Sequence, residues 1–330
     1  LILSARKSGH NSFGFFTRLP NASSQITVNT VALRRAKNSA DKLERTVSFE
    51  SVVSHEHIHL LQTYYFSERV KYEDDSEKVN FLKNEGPLLN LDLEAIKKIN
   101  IQNFLKILSP TYDAIKILKK QLPTNKSLIS FIGAPWTLLV YMFNKKSPKD
   151  NFFLKEFLTH ETELNFVLNK LEIYLKRHLD KQIEAGADVI QIFDSWAGLL
   201  PKKELSNYCY NPILKIVEHI KSKNIPVICF PKGIKENYLD FCSTVKPDCI
   251  SIDYEVDPKW LKEKLNGLPI QGGLDPKILL TDRTKIKKNT EKYLNIFKDY
   301  PYIFNLGHGV LPEIKPETIE YIIKLVRDYK

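Results

Sequence analysis

Cysteine is scarce in this sequence. Its four cysteines, Cys209, Cys229, Cys242 and Cys249, are scattered along 330 residues, and no two of them form a Cys-x-x-Cys pair. Small domains built on disulfides and structural zinc sites both need paired or clustered cysteines, so both are disfavoured. The pattern predicts reduced thiols that serve as plain core residues of a cytoplasmic protein.

Long hydrophobic runs are also missing. The longest apolar stretch, residues 136–143, contains the polar groups of Thr137 and Tyr141. It falls far short of the roughly 18 to 20 residues that a helix needs to cross a bilayer. The first residues show no charged region ahead of an apolar one and no cleavage pattern. The sequence therefore predicts neither membrane insertion nor a secretion signal.

Positive charge is not concentrated in any one segment, although the net charge is +10. Lysines are spread along the chain in company with acidic residues, which is typical of solvated helix faces. Basic arms that bind nucleic acid are concentrated blocks, so a nucleic-acid partner is disfavoured. An anionic membrane surface and a polyanionic small substrate both remain compatible with the net charge.

Six short apolar runs indicate strands. They lie at residues 128–132, 189–193, 227–230, 249–252, 268–271 and 302–304. Their near-continuous apolar character indicates burial on both faces, and the long amphipathic segments between them indicate helical connections between parallel strands. Glycine, proline or a polar residue follows every run. This favours an α/β fold of the (β/α)8 TIM-barrel type over a doubly wound sheet, because a barrel builds its site from all its strand-to-helix loops.

The first third of the chain supplies the two remaining strands poorly. Residues 25–33 and 46–53 are weak candidates, and residues 90–123 carry a helical pattern. Residues 1–69 hold six Arg and three Lys, whereas residues 70–330 hold three Arg and 37 Lys. We therefore divide the chain into an atypical segment at 1–69 and a barrel at 70–330. A shifted reading frame or wrong start, a fused foreign piece and an unusual native arm would each account for the change.

The last apolar run leads to a histidine that stands between two glycines, Gly307 and Gly309. Barrel enzymes present polar groups at strand ends. Glycine neighbours remove side chains that would shield the imidazole and allow close approach of backbone or ligand. An incidental turn is the alternative, but the paired glycines favour His308 as a residue that faces a ligand.

Three motifs taken together resemble the uroporphyrinogen decarboxylase family: FIGAPWTLLVYM at 131–142, GADVIQIFDSWAGLL at 186–200 and FNLGHGVLPE at 304–313. Shorter motifs fall in the family's order: GPLL at 86–89, FPKG at 230–233 and QGGLDP at 271–276. The resemblance covers roughly residues 70–330. It implies a (β/α)8 barrel, a homodimer, and cofactor-free removal of the four acetate carboxyls of uroporphyrinogen III to give coproporphyrinogen III.

By this resemblance, Tyr141, Ser195 and His308 occupy substrate-binding positions of the family. Two of them have a structural alternative. Tyr141 lies in an apolar run, where a tyrosine can be a core residue with its hydroxyl at the edge. Ser195 follows Asp194 at a predicted strand exit, where a serine can cap the next helix.

Two elements of the family are not found in the sequence. The arginine motif of the form RQAGRYLPEY near the N-terminus and the aspartate of an FSD segment have no match, so we assign no catalytic residue. Two interpretations follow. The chain is a uroporphyrinogen decarboxylase with a divergent N-terminal segment, or it is a catalytically impaired pseudoenzyme or frame-shifted product that retains the barrel scaffold.

Two sequence patterns resemble metal sites, and neither is predicted to bind a metal. Alternate histidines at His55, His57 and His59 would share one face of a strand, as zinc ligands do, but no further ligand accompanies them. Relatives of this fold that transfer methyl groups to thiols bind zinc through a His-x-Cys pair and a later Cys. Val227 stands where that histidine would precede Cys229.

Overall fold

The computed structural model of the chain describes residues 100–144, 154–311 and 313–329, together with 80–82, 86–88 and 96. Its strands are β1 Asn80–Leu82, β2 Gly86–Leu88, β3 Ile129–Gly133, β4 Val189–Asp194, β5 Val227–Pro231, β6 Cys249–Ile252, β7 Ile270–Gly272 and β8 Tyr302–Ile303. Its α-helices are α1 Ile101–Ile107, α2 Ser109–Gln121, α3 Pro135–Asn144, α4 Leu154–Leu158, α5 Glu161–Glu184, α6 Lys202–Leu205, α7 Asn211–Lys221, α8 Tyr238–Val245, α9 Pro258–Lys264, α10 Arg283–Ile296 and α11 Pro316–Asp328.

Strands β3 to β8 form one parallel sheet in which each strand pairs with the next along the chain. Helical connections separate the strands, which is the winding of a (β/α)8 barrel. The six strands predicted from the sequence and the barrel fold class are thereby confirmed. The weak candidates at 25–33 and 46–53 lie outside the described residues.

Two short strands were not predicted. β1 and β2 form a separate antiparallel pair in which Asn80 lies opposite Leu88. Three-residue strands give too short a pattern to be recognised by periodicity. Within the described part of the chain, none of the helices has the length and apolar character to cross a membrane.

Helix α5, the longest helix among the described residues, shows how the apolar pattern builds the outer layer. Leu164, Leu168, Leu171 and Leu175 recur at helical spacing and are buried. After the helix, Gly186 adopts φ +109 and donates its N–H to the carbonyl oxygen of Ile183, which ends the helix in a left-handed turn. The chain then enters β4.

A buried polar network ties α5 to its neighbours. His178 Nδ1 lies 2.9 Å from Tyr112 Oη on α2, and His178 Nε2 lies 2.6 Å from the amide nitrogen of Gln182. Because that amide nitrogen can only donate, Nε2 accepts and Nδ1 donates to the tyrosine. Gln182 Oε1 accepts from Ser130 Oγ on β3 at 2.5 Å. Burial lowers the pKa of His178 to about 3, so the imidazole is neutral at physiological pH.

Gly272 at the end of β7 gives a test of the packing of the sheet. It has φ +86, and a Cβ atom there would lie 3.0 Å from the carbonyl oxygens of Ile252 and Leu306. Gly267 has φ +88, but a Cβ atom there would meet nothing within 4 Å. We expect Gly267→Ala to lower the free energy of unfolding by about 1–2 kcal/mol through backbone strain alone. Gly272→Ala should lose about 1–3 kcal/mol more through overpacking.

Urea denaturation of the two variants and the unaltered chain measures this difference. Equal losses for the two variants would mean that the strand ends are not held in contact at Gly272.

Candidate active site at the carboxyl rim

The loops that follow β3 to β8 all leave the same edge of the sheet, which we call the carboxyl rim. Main-chain hydrogen bonds tie the first of these loops together. The Ala134 N–H donates to Phe193 O at 2.8 Å, and the Lys232 N–H donates to Asp194 O at 3.0 Å. The Gly198 N–H in turn donates to Lys232 O at 2.9 Å. The exits of β3, β4 and β5 are therefore fixed relative to one another.

Two glycines and a buried aspartate extend these ties to β6. A Cβ atom on Gly198 would lie 2.9 Å from the Cα and the carbonyl oxygen of Gly233, so the loops after β4 and β5 touch backbone to backbone. Gly233 also donates its N–H to Asp253 Oδ2 at 2.7 Å, and Tyr238 Oη donates to the same oxygen at 2.8 Å. Asp253 therefore holds the rim together rather than facing a ligand.

The loop after β8 packs against the same structure. Gly307 donates its N–H to Leu274 O at 2.7 Å, and a Cβ atom on Gly307 would lie 2.7 Å from Tyr254 N and 3.0 Å from Asp253 C. Gly307 is thus required for close backbone approach, which is one of the two roles expected for the glycines beside His308. An unbroken series of contacts runs along the rim from the β4 exit to the β8 exit.

His308 lies at this rim directly after Gly307 and is half-buried. Its Nδ1 accepts a hydrogen bond from the Gly309 N–H at 2.6 Å. In a neutral imidazole this arrangement places the proton on Nε2. The glycine on its C-terminal side therefore fixes both the orientation of the ring and its tautomer.

Tyr141 and Ser195 are brought together through Trp196. Tyr141 lies on α3 and is fully buried, and its ring meets the Trp196 ring edge to face at a centroid distance of 6.1 Å. Ser195 precedes Trp196 at the β4 exit, and its residue is 4% exposed. His308 lies at the same rim but after β8, at the other end of the sheet, and three strands separate β4 from β8.

The helix-cap alternative for Ser195 is wrong. The short turn that follows, Ala197–Leu199, has Trp196 at its N-terminal cap position and no side-chain cap. Within the described residues, Ser195 Oγ is buried and makes no hydrogen bond. A buried hydroxyl without a partner is costly to a fold, so it is a candidate for contact with a bound molecule.

Asp194 is the last residue of β4, directly before Ser195, and is fully buried. Its Oδ1 accepts a hydrogen bond from Thr137 Oγ1 on α3 at 2.6 Å. Burial raises the pKa of this carboxyl to about 6, and hydrogen bonds from the Thr137 side chain, the Cys209 thiol and the Thr137 backbone moderate the rise. The sequence marked Asp194 only as a polar residue at a strand exit.

Three aromatic side chains cover the rim end of the sheet's inner face. Ser130 reaches α5 on the helix side, so Phe131 next to it lies on the opposite, inner side. The Phe131 and Phe193 rings meet at 5.7 Å and the Phe193 and Phe230 rings at 6.0 Å, all edge to face. The strand register puts these residues on one face. Together they form an apolar wall on the inner face of the sheet.

The histidines from His55 to His59 lie outside the described residues. Among the residues that the structure describes, no cluster of three or more His, Cys, Asp or Glu could hold a metal ion. Cys229 lies in the interior of β5, where burial raises the pKa of its thiol well above the ordinary value. It is a neutral core residue rather than a thiolate ligand.

Comparison with known proteins identifies the family. The model of the family described as Uroporphyrinogen decarboxylase (URO-D) matches residues 73–329. The chain belongs to the uroporphyrinogen decarboxylase family. The resemblance inferred from the three motifs is thereby confirmed, and the uroporphyrinogen decarboxylase match begins within a few residues of the predicted boundary.

Individual members of the family agree over most of the chain. Uroporphyrinogen decarboxylase of Rickettsia bellii (strain RML369-C) is 39% identical over 258 residues, which cover 77% of this chain and 76% of that protein. Uroporphyrinogen decarboxylase of Campylobacter jejuni (strain 81-176) is 40% identical over 257 residues, which cover 76% of this chain and 75% of that protein. Both relatives are uroporphyrinogen decarboxylases, and the similarity extends over about three quarters of each protein.

One solved structure supports the fold. A methyltransferase from Methanosarcina mazei superposes with a TM-score of 0.59 at 16% identity, covering 92% of this chain and 98% of that chain. At this identity the likeness concerns the fold alone. A decarboxylase family member and a methyltransferase thus share one scaffold, and their chemistry must be argued from the residues of the site.

Proposed function

We propose that this chain is a uroporphyrinogen decarboxylase, which removes the four acetate carboxyls of uroporphyrinogen III as carbon dioxide and yields coproporphyrinogen III without a cofactor. We further propose that it acts as a homodimer in the cytoplasm, with residues 70–330 as the decarboxylase-like barrel and 1–69 as an atypical segment. The observation that carries the proposal is about 40% identity to uroporphyrinogen decarboxylases over three quarters of the chain.

The reaction sets clear demands on the site. Protonation of a pyrrole carbon beside the acetate-bearing position gives a cationic ring. The bond between the methylene carbon and the carboxylate then breaks, carbon dioxide leaves, and its electron pair neutralises the ring. A second proton converts the exocyclic methylene carbon into a methyl group, and loss of the first proton from the ring carbon restores the pyrrole. The protein must stabilise the cationic ring and hold the remaining carboxylates in place.

The residues of the rim suit the second of these demands, the binding of the carboxylates. The wall of Phe131, Phe193 and Phe230 offers apolar surface for the flat parts of a tetrapyrrole. Ser195 Oγ and the His308 ring are donors of the kind that bind carboxylates. Tyr141 would place its hydroxyl toward the substrate from α3. In this proposal all three are substrate-binding residues.

The charge of the chain is consistent with an octa-anionic substrate. A net charge of +10 spread over the surface raises the local concentration of a polyanion without a dedicated basic patch. This attraction is screened by salt, so it acts mainly on the rate of association.

The direct test is an anaerobic assay of the full chain with uroporphyrinogen III. We expect stepwise loss of carboxyl groups, observed by mass spectrometry as intermediates that end at the four-carboxyl product. Addition of a metal chelator should leave the rate unchanged. Absence of both binding and turnover would overturn the proposal, and sedimentation at the mass of a single 38.3 kDa chain would overturn its dimer part.

A specific observation favours a second candidate, a catalytically impaired product. The family match begins at residue 73, and the arginine motif expected ahead of that point is not found. In this case the same assay would give porphyrinogen binding with no loss of carboxyl groups. Translation of the underlying DNA in its other two frames would then reveal the missing motif.

A further inference from the structure

The hydroxyl group of Thr137 connects the two predicted substrate-binding residues Tyr141, on α3, and Ser195, after β4. Thr137 Oγ1 donates to Asp194 Oδ1 at 2.6 Å and accepts from the Trp196 N–H at 3.2 Å. Ser195 is the single residue between the two partners of this hydroxyl. Tyr141 stands one helical turn beyond Thr137, on the same face of α3. One hydroxyl therefore joins the backbone around Ser195 to the helix that carries Tyr141.

Burial and a second hydrogen bond fix the position of the β4 exit against α3. Thr137 and Asp194 are fully buried, and the Trp196 carbonyl oxygen accepts from Trp136 Nε1 at 2.9 Å. Trp196 is thus held at both its N–H and its carbonyl by consecutive residues of α3. Beside the carboxyl lies the thiol of Cys209, which the π-helical turn Ser206–Tyr210 presents to Asp194.

We propose that Asp194 and Thr137 act as a positioning pair, which holds Ser195 and Tyr141 at the relative position that the substrate requires. The pair acts through the hydrogen bond between Thr137 Oγ1 and Asp194 Oδ1, whereas Asp194 Oδ2 has no hydrogen-bond partner within the described residues. The identity of the substrate in this inference rests on the proposed function. The fixed position of the β4 exit against α3 does not depend on it. The reason lies in the contrast at the β4 exit: the residues on both sides of Ser195 are hydrogen-bonded into α3, whereas Ser195 Oγ itself has no partner within the described residues.

The test uses a matched set of threonine variants. Thr137→Val keeps the size of the side chain and removes the hydroxyl, whereas Thr137→Ser keeps the hydroxyl. Thr290→Val is the control, because Thr290 on α10 is also fully buried but its hydroxyl has no partner within the described residues. Each variant is measured for kcat and KM with uroporphyrinogen III, for thermal unfolding, and for backbone hydrogen exchange without substrate.

We expect Thr137→Val to lower kcat/KM on the order of 100-fold, because a small misplacement of positioned groups is enough for such a loss. Both kcat and KM should change, and exchange should accelerate at the Trp196 amide. Thr137→Ser should restore kcat/KM to within about threefold and should restore the protection of that amide. Thr290→Val should leave kcat and KM unchanged.

The outcomes separate this inference from the function on which it rests. Unchanged kinetics in Thr137→Val, in a preparation whose unaltered chain turns over the substrate, would overturn the positioning role alone. If the unaltered chain neither binds nor converts uroporphyrinogen III, the proposed function fails. Hydrogen exchange still decides the structural part, and unchanged protection at Trp196 in Thr137→Val would overturn it.

Discussion

Replacement of His308 by alanine is expected to lower kcat/KM for uroporphyrinogen III by about 10- to 100-fold. The loss corresponds to one hydrogen bond from the imidazole to a charged carboxylate, which contributes about 1.5–3 kcal/mol. The ring stands at the carboxyl rim, and its Nδ1 is already engaged by the Gly309 N–H. Steady-state kinetics with purified enzyme provides the measurement.

A second histidine serves as the control. His219 on α7 pairs with Asp180 of α5 at 2.8 Å, on the outer helical layer of the barrel. His219→Ala should leave kcat/KM unchanged while lowering stability slightly, because Asp180 keeps its ion pair with Lys223 at 3.1 Å. If His308→Ala behaved like His219→Ala, His308 would be a turn residue without a role in binding.

Replacement of Asp194 by asparagine is expected to stabilise the fold at neutral pH while lowering activity. In the unfolded chain this carboxyl titrates near its ordinary pKa of 3.8, whereas burial raises its pKa to about 6 in the folded protein. Between these two values the folded state binds more protons, so stability falls as pH rises. Above pH 6 the accumulated cost is up to about 3 kcal/mol, and asparagine removes it.

The pH dependence distinguishes this effect from ordinary packing. Asp194→Asn should gain stability over the unaltered chain at pH 7.5 and show little gain at pH 4, as measured by urea denaturation. Activity should fall, because a neutral amide is a weaker acceptor for Thr137 Oγ1 than a carboxylate.

Asp180→Asn gives the opposite sign and serves as the control. Although burial opposes its ionisation, the hydrogen bonds and charges of His219 and Lys223 lower the pKa of Asp180 below its ordinary value. Its ionised form therefore stabilises the fold, and the variant should lose stability at pH 7.5. A higher stability of Asp180→Asn at pH 7.5, or a lower stability of Asp194→Asn, would contradict the assignment of charge at these two sites.

Sequence reasoning found the strands of the sheet because their signal is local. The six apolar runs carry enough buried residues to be read one by one, and their bounds differ from the observed strands by at most two residues. The start of the turn at Asp275 also has a local signal, an aspartate followed by Pro276, and the Asp275 side chain accepts from the Lys277 N–H.

The support of the site was not predictable, because its contacts join distant parts of the chain. Thr137 lies in an apolar run, where nothing nearby indicates that its hydroxyl meets Asp194, 57 positions away. The sequence predicts Ser195 as either a helix cap or a binding residue, and the cap is excluded only by the fold, which places Trp196 at the cap position. The close contact between Gly198 and Gly233 likewise has no local signal.

The central claim is that Tyr141, Ser195 and His308 line one site at the carboxyl rim of the β3 to β8 sheet. A crystal structure of the full chain with coproporphyrinogen III bound tests it most directly. The account predicts a tetrapyrrole against the Phe131, Phe193 and Phe230 wall, with Ser195 Oγ and His308 within hydrogen-bond distance and Tyr141 in contact. A tetrapyrrole bound elsewhere, or these three side chains facing separate surfaces, would contradict it.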